Sequence, residues 1–389
     1  MHSPITALAG ILLVASSAAA QQCTPYTSGI DATKYPTPWT TATSNGVLNT
    51  PEFQAVYNGI DWTKVPNLPP KNWTADGAAV TTGYSAADPD CWWTASQCTT
   101  PKHPDILADI VACPEPGTWG LTYDDGPNCT NTAFYDFLKQ NNQKASMYYI
   151  GSNVLDWPNE AKRGYTDGHH INGHTWSHKP MTSLTNQEIV AELYYTTKII
   201  KEVTGVTVLY WRPPYGDIDD RVRAIASQMK LTATIWNRDT DDWNTAVSAA
   251  QITANFQNFI NEGKNGTWSK SGVIVLEHEI DSRTMGLAMQ YYTEIKNAYK
   301  HLMPVASCMN ITKPYAENIV YPDFATLAGL APTNNTSTST TVAASSAAPS
   351  PTNTKGTASP GQNSGAVDIV TNWVTGLISI SAGLVALVL

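Results

Sequence analysis

From Cys113 onward the sequence alternates short apolar runs, rich in β-branched and aromatic residues, with longer segments whose apolar residues recur at near-helical spacing. That alternation leaves few options, because parallel strands need crossovers, and crossover helices then cover the faces of the sheet. Seven strands are expected, at 118–123, 145–150, 169–174, 206–212, 231–236, 272–278 and 303–308. The fold class is therefore α/β, a distorted (β/α) barrel of about seven parallel strands with a loop-rich N-terminal extension. The clearest helix starts after Thr185, which forms a Thr-x-x-Glu capping box with Glu188. Ile189, Leu193, Ile200 and Val203 then mark its buried face, and Gly205 ends it. In Trp211-Arg212-Pro213-Pro214-Tyr215, two successive prolines must end the pairing of the fourth strand.

The flanks divide by composition. Residues 1–20 hold an apolar run followed by Ser16-Ser17-Ala18-Ala19-Ala20, the layout of a signal peptide, so a mature chain is expected to begin near Gln21. Residues 21–112 are rich in Pro, Thr, Asn and Trp without a sustained period and form the loop-rich N-terminal region. The α/β domain occupies 113–310 and a C-terminal extension 311–331. Residues 332–364 are almost all Thr, Ser, Ala, Pro, Asn and Gly, a stalk that cannot bury a core. After it, 365–389 reads as a GPI-attachment signal that is removed, with Asn363 or Ser364 as the attachment residue. The expected location is the secretory route, ending at the outer face of the plasma membrane or in the cell wall, with the membrane engaged only through that anchor.

Six cysteines, Cys23, Cys91, Cys98, Cys113, Cys129 and Cys308, suggest three disulfides in an exported chain. Cys91 with Cys98 is the easiest local pair, and the other pairings stay open. Sequons at Asn72, Asn128, Asn265, Asn310, Asn334 and Asn335 agree with export. A formal net charge of −9 gives no electrostatic footing for a nucleic-acid partner.

The placement of reactive residues carries the functional reading. Asp124 and Asp125 follow the first expected strand, His174 ends the third, Arg212 ends the fourth, Asp239 follows the fifth and His278 ends the sixth. In a barrel of parallel strands these ends converge on one face, where such folds build their sites. His174 and His178, four residues apart, can aim two imidazoles at one ion from a helical turn or a compact loop, and the adjacent Asp124-Asp125 pair offers an oxygen ligand. Two nitrogens, one oxygen and an open position make the pattern of a hydrolytic zinc site. Taken singly the same residues are ordinary: Asp-Asp-Gly-Pro makes a turn, Arg212 a surface ion pair, and Asp239 a cap.

Together, Thr122 to Pro127, His174 to His178, Arg212 to Tyr215, Asp239-Thr240-Asp241-Asp242-Trp243 and Leu276-Glu277-His278 resemble, in order, the five motifs of the polysaccharide deacetylases of carbohydrate esterase family 4, most closely those of fungal chitin deacetylases. Tyr123 stands where Phe is usual. The resemblance implies one divalent metal ion, Zn2+ or alternatively Co2+, held by Asp125, His174 and His178, with Asp124 free as general base. It implies His278 as general acid, Asp239 orienting it, Arg212 holding Asp124, and the backbone N–H of Tyr215 facing the developing oxyanion. Trp243 and Leu276 would line the acetyl pocket. The implied reaction removes N-acetyl groups from chitin or chito-oligosaccharides, giving chitosan and acetate.

Two rivals stand beside this reading. One is an esterase on another acetylated polysaccharide such as xylan, whose alkoxide leaving group leans less on the acid. The other is a non-catalytic wall-binding glycoprotein, which would be expected to lack a ligand, the base or the acid. A glycosidase working through Asp124 and Asp125 fails on geometry, since adjacent residues cannot flank a glycosidic bond at a separation of about 5–10 Å.

Overall fold

The computed structural model describes residues 24–330 apart from Ser28 and Asp76, and those residues belong to one compact unit. The expectations for the signal peptide, the stalk, the GPI signal, Cys23, Asn334, Asn335, Asn363 and Ser364 lie outside the described residues.

Eight strands form one parallel sheet: β1 (Thr118–Gly126), β2 (Ser146–Tyr149), β3 (His170–Gly173), β4 (Tyr210–Trp211), β5 (Thr232–Ala233), β6 (Arg238–Asp239), β7 (Val273–His278) and β8 (His301–Met303). The order is β5-β4-β3-β2-β1-β7-β6, with β8 added at the start of β1. β1 is the axis of the fold because it pairs with β2 on one side and β7 on the other, and its residues are almost continuously buried. The strand is covered on both faces, so Thr118, Gly120 and Thr122, which alternate with Trp119, Leu121 and Tyr123, are buried along with them.

Helices fill the crossovers. Asn186–Thr204 has the Thr185–Glu188 capping box and ends at Gly205, whose φ of 86° suits a residue without Cβ. Its buried face includes Ile189, Leu193 and Ile200, with Ile199 in addition. Four expectations shift. The strand awaited at 303–308 is β8 followed by the helix Val305–Cys308, since Pro304 cannot donate to a ladder. β4 and β5 shrink to two residues each, and β6 arises where no strand was expected.

The Cys91–Cys98 disulfide is present, and Cys113 pairs with Cys308 across 195 residues. Cys129 is also disulfide-bonded, and among the described residues no cysteine is free. The N-terminal region is not a separate body. Tyr35 and Phe53 are fully buried in the main core, and Tyr35 stacks on Trp176 with ring centroids 5.9 Å apart.

Candidate active site

Asp124 and Asp125 are neighbours on β1, and in a regular strand their side chains would point to opposite faces. The register breaks between Asp124, opposite Tyr148, and Gly126, opposite Tyr149, so Asp125 is the bulged residue, with φ 70°. That local distortion is what lets both carboxylates serve one site. Gly126 is required next to it: a Cβ there would lie 2.0 Å from Oε1 of Glu279.

His174 follows β3 directly, and its N–H donates to the Tyr149 carbonyl at 2.8 Å. The segment to His178 is a compact loop, not a helical turn, with Thr175 and His178 at φ 63° and 55°. Backbone bonds from Gly151 and Ser152 hold the Thr175 and Trp176 carbonyls. From the other side Glu192, buried in the long helix, accepts from the backbone N–H groups of Trp176 and Ser177, both at 2.8 Å, and from the Ser177 hydroxyl at 2.7 Å. Nothing in the sequence pattern singles out Glu192 beyond its being an acid on an otherwise apolar helix face.

The loop brings Nε2 of His174 and His178 to 3.3 and 3.2 Å from Oδ1 of Asp125. His174 Nδ1–H donates to the Arg212 carbonyl at 2.8 Å, which turns Nε2 toward Asp125 as the ring nitrogen available to a ligand. Oδ1 of Asp125 is itself buried with no hydrogen-bond donor. Lone pairs therefore face one another across the cluster, an arrangement that a cation between them satisfies. The three ligand atoms lie within 4.8 Å of one another, so the residues fit a divalent ion. Burial pulls the Asp125 carboxyl upward, but His178 and His174 outweigh it and hold it well below the usual carboxylate range. Burial lowers His178 to about 4, leaving that ring neutral.

Asp124 sits apart from this trio. Only 2% exposed, it accepts from Nη1 of Arg212 at 2.7 Å, and its Oδ2 stays 3.8 Å from His174 Nε2. Arg212 is fully buried, bonded also to Thr122 Oγ1 at 2.9 Å and the Thr234 carbonyl at 3.2 Å, with its guanidinium 4.1 Å from the Tyr148 ring centroid. A buried guanidinium held on so many sides fixes the carboxylate opposite it.

His278 ends β7 directly opposite Asp124. Here one expectation is corrected: Asp242, not Asp239, orients the ring. Asp242 Oδ1 accepts from His278 Nδ1 at 2.7 Å and its Oδ2 from the His278 backbone N–H at 2.9 Å. Asp239 pairs with Leu276, two residues short of His278, and its carboxylate caps a turn by accepting from the Asp241 N–H at 2.9 Å. Burial raises Asp239 to about 6. Burial opposes charge on His278, yet Asp242, with Asp125 and Asp124 behind it, lifts that ring to about 9.

Tyr215, at φ 59° and half exposed, lies 4.7 Å from the His178 ring, and Trp243 lies 6.4 Å from the His278 ring. Leu276 is buried on the His278 face of β7. Glu277 and Glu279 are buried near the site, and burial pushes both carboxyls well above the usual carboxylate range. Burial likewise lowers His169 and His170 to about 3, consistent with structural parts, while His103 and His301 stand outside the cluster. Asn72, Asn265 and Asn310 are exposed. Asn128 is half-buried, and its Nδ2 donates to the Glu279 and Ile280 carbonyls at 2.7 and 2.9 Å.

Residues 112–234, which carry the bulged aspartates, both loop histidines and Arg212, match the family model described as polysaccharide deacetylase. The chain is 55% identical over 306 residues to a chitin deacetylase of Amylomyces rouxii, covering 77% of this chain and 72% of that protein. It belongs to the polysaccharide deacetylase family. This deacetylase is also 48% identical over 315 residues to chitin deacetylase 2 of Cryptococcus neoformans var. grubii, covering 79% of this chain and 68% of the relative. Among solved structures, the chitin deacetylase of Colletotrichum lindemuthianum matches with a TM-score of 0.50 at 23% identity, covering 54% of this chain and 96% of that one, a likeness of fold. The family is generally dependent on a divalent metal, and in this deacetylase the Asp125, His174 and His178 cluster fits one.

Proposed function

We propose that this deacetylase hydrolyses the N-acetyl groups of chitin, a neutral polymer of N-acetylglucosamine, to chitosan and acetate. The observation that carries the reading is the division within the bulged pair: Asp125 faces two imidazole lone pairs, while Asp124 beside it is bonded to Arg212 and stays free of the trio. Relatives named as chitin deacetylases, at 55% and 48% identity, support the substrate.

A divalent ion held by Asp125, His174 and His178, zinc by preference for two nitrogens and one oxygen, would supply Lewis acidity toward water and the carbonyl oxygen. The chain's own residues handle the protons. Asp124, fixed by Arg212, takes a proton from the attacking water as the new C–O bond forms at the acetyl carbon. The negative charge gathering on the carbonyl oxygen is met by the Tyr215 backbone N–H, an interaction typically worth about 3 kcal/mol. His278, charged and aligned by Asp242, gives its proton to the departing nitrogen, the C–N bond breaks, and acetate and a free amine remain. Trp243 and Leu276 are proposed to border the acetyl methyl group. An amide needs that proton because an unprotonated amine is a poor leaving group.

The disulfides and exposed sequons support passage through the secretory route, and the composition of 332–389 supports GPI attachment. The bonds of Asn128 Nδ2 support an unmodified Asn128 at the rim.

The test is acetate release from N-acetylglucosamine oligomers by the purified chain, before and after chelation and zinc return. Release should vanish with chelator and recover with zinc. Asp124→Asn should bind zinc while releasing no acetate, whereas His174→Ala or His178→Ala should lose both. No release from zinc-loaded, folded protein would sink the reading.

A further inference from the structure

The N-terminal region precedes the stretch matched by the family model, which begins at residue 112, yet it reaches the rim of the site. Three bonds from residues 37–42 grip the supports of the metal-ligand loop. Trp176 Nε1 donates to the Thr37 carbonyl at 3.3 Å, the Trp39 N–H donates to Ser152 Oγ at 2.9 Å, and the Ala42 N–H donates to Glu192 Oε1 at 3.0 Å. Ser152 in turn donates to the Trp176 carbonyl at 2.6 Å. A second segment, in which Trp73 bridges to Ala79, is tied down where the Lys71 N–H donates to the Thr182 carbonyl at 2.8 Å, and the Trp73 ring sits 6.0 Å from Tyr215.

Exposure shows what this grip is for. The aromatic side chains exposed among the described residues are Trp39 at 49%, Tyr215 at 51% and Trp243 at 43%. Tyr215 and Trp243 border His178 and His278, and Trp39 is joined through Ser152 to the loop between the metal-ligand histidines. Leaving an indole in water forgoes burial, and Trp39 is in addition held at φ 63°, a region bulky residues rarely adopt. Flat apolar rings around the site suit a neutral polymer of pyranose rings, whose C–H faces are apolar and whose hydroxyls point outward.

We propose that the N-terminal region completes a polysaccharide-binding groove, with Trp39 and Trp73 receiving sugar rings of the polymer beyond the unit that is deacetylated. Trp39 is half exposed with its side chain bonded to Asp156, and Trp73 packs beside Tyr215 and extends its surface. The region thereby sets how strongly the enzyme prefers long chains over short ones. This rests on the polysaccharide reading above, deepening its substrate class.

The experiment compares the parent chain with Trp39→Ala, Trp73→Ala and Trp39→Phe. Steady-state rates are measured on the N-acetylglucosamine dimer and hexamer, and hexamer binding to the metal-free chain is measured by calorimetry. In each alanine variant the ratio of hexamer to dimer kcat/KM should fall about tenfold, through KM, the equivalent of about 1.4 kcal/mol, and the hexamer Kd should rise in step. Trp39→Phe, which keeps a ring, should recover most of the hexamer preference. An unchanged ratio and unchanged hexamer Kd in both alanine variants would overturn the proposal. So would equal losses on dimer and hexamer through kcat, which would mean a disturbed metal-ligand loop. If the parent binds hexamer without releasing acetate, and Trp39→Ala weakens that binding, the groove stands and the deacetylase reading falls.

Discussion

His278 and Asp242 show how one side-chain contact sets both chemistry and stability. The ring's ordinary value of 6.5 is raised to about 9, with Asp242 the largest of the raising influences. A histidine raised on folding stabilises the protein fully below its unfolded value of 6.5, and that contribution is lost as pH climbs through about 9. The same window governs the acid, which must hold its proton to release an amine. Asp242→Asn removes the charge and leaves the His278 backbone N–H facing an amide group that can turn only one acceptor toward it. The alkaline limb of the pH–kcat/KM profile for amide substrate should then move to lower pH by about one unit or more. An activated acetyl ester, with a leaving group that needs no proton, should show a smaller loss. A positive ion at Asp125 acts on His278 in the downward sense in both proteins, so the difference between them is the quantity to measure. A profile unmoved by the substitution would remove Asp242 from its proposed role.

Among the elements, the 174–178 loop is the one whose shape is least its own. Two left-handed residues in five leave it with little local preference, and its geometry is imposed by the helix that begins after β2 on one side and Glu192 on the other. Burial raises the Glu192 carboxyl while the bonds from Ser177 and Trp176 pull against that rise, so the carboxylate is worth burying only because its oxygens are satisfied. Glu192→Ala would free the Trp176 and Ser177 N–H groups in a dry pocket. Zinc affinity should fall about tenfold or more, as for other outer supports of metal ligands, while the helix signal in circular dichroism persists. Competition against a chelator of known affinity measures this, and an unchanged affinity would mean the loop holds itself. β6 belongs to the same scale. It is two residues long, too short for any periodicity to announce it, and together with the bonds of Thr240 to the Leu276 carbonyl it sets where the Asp239 to Trp243 segment meets β7.

Across the whole molecule, the Cys113–Cys308 bond joins the residues just before β1 to the last helix of the α/β core. Both cysteines are fully buried, against Ile274 and Met303. Closing 195 residues removes a large share of the unfolded chain's freedom. The double substitution Cys113→Ser with Cys308→Ser should lower stability by about 2–5 kcal/mol, read from the urea midpoint of the chain. A shift within error would show that the surrounding core already fixes both ends. The N-terminal region belongs to the main core, a different cluster from the one around this bond, through Tyr35 and Phe53, so it should unfold with the rest and not as a separate transition.

What the sequence determined by itself was local and repetitive. The strand-helix alternation, the Thr185–Glu188 cap, the stop at Gly205, and the strand-end positions of Asp124, Asp125, His174, Arg212 and His278 all follow from short-range patterns that act within a few residues. The tertiary structure decided what depends on where two distant segments meet. The acids at 239 and 242 are equivalent in sequence, both in one Asp-x-x-Asp segment, and only the register of β6 on β7 turns Asp242 to His278 and leaves Asp239 to cap a turn. The bulge that turns Asp125 to the same site as Asp124, the grip of Glu192 on the histidine loop, and the reach of Trp39 to its rim likewise come from contacts between residues far apart in the chain, for which no local pattern exists.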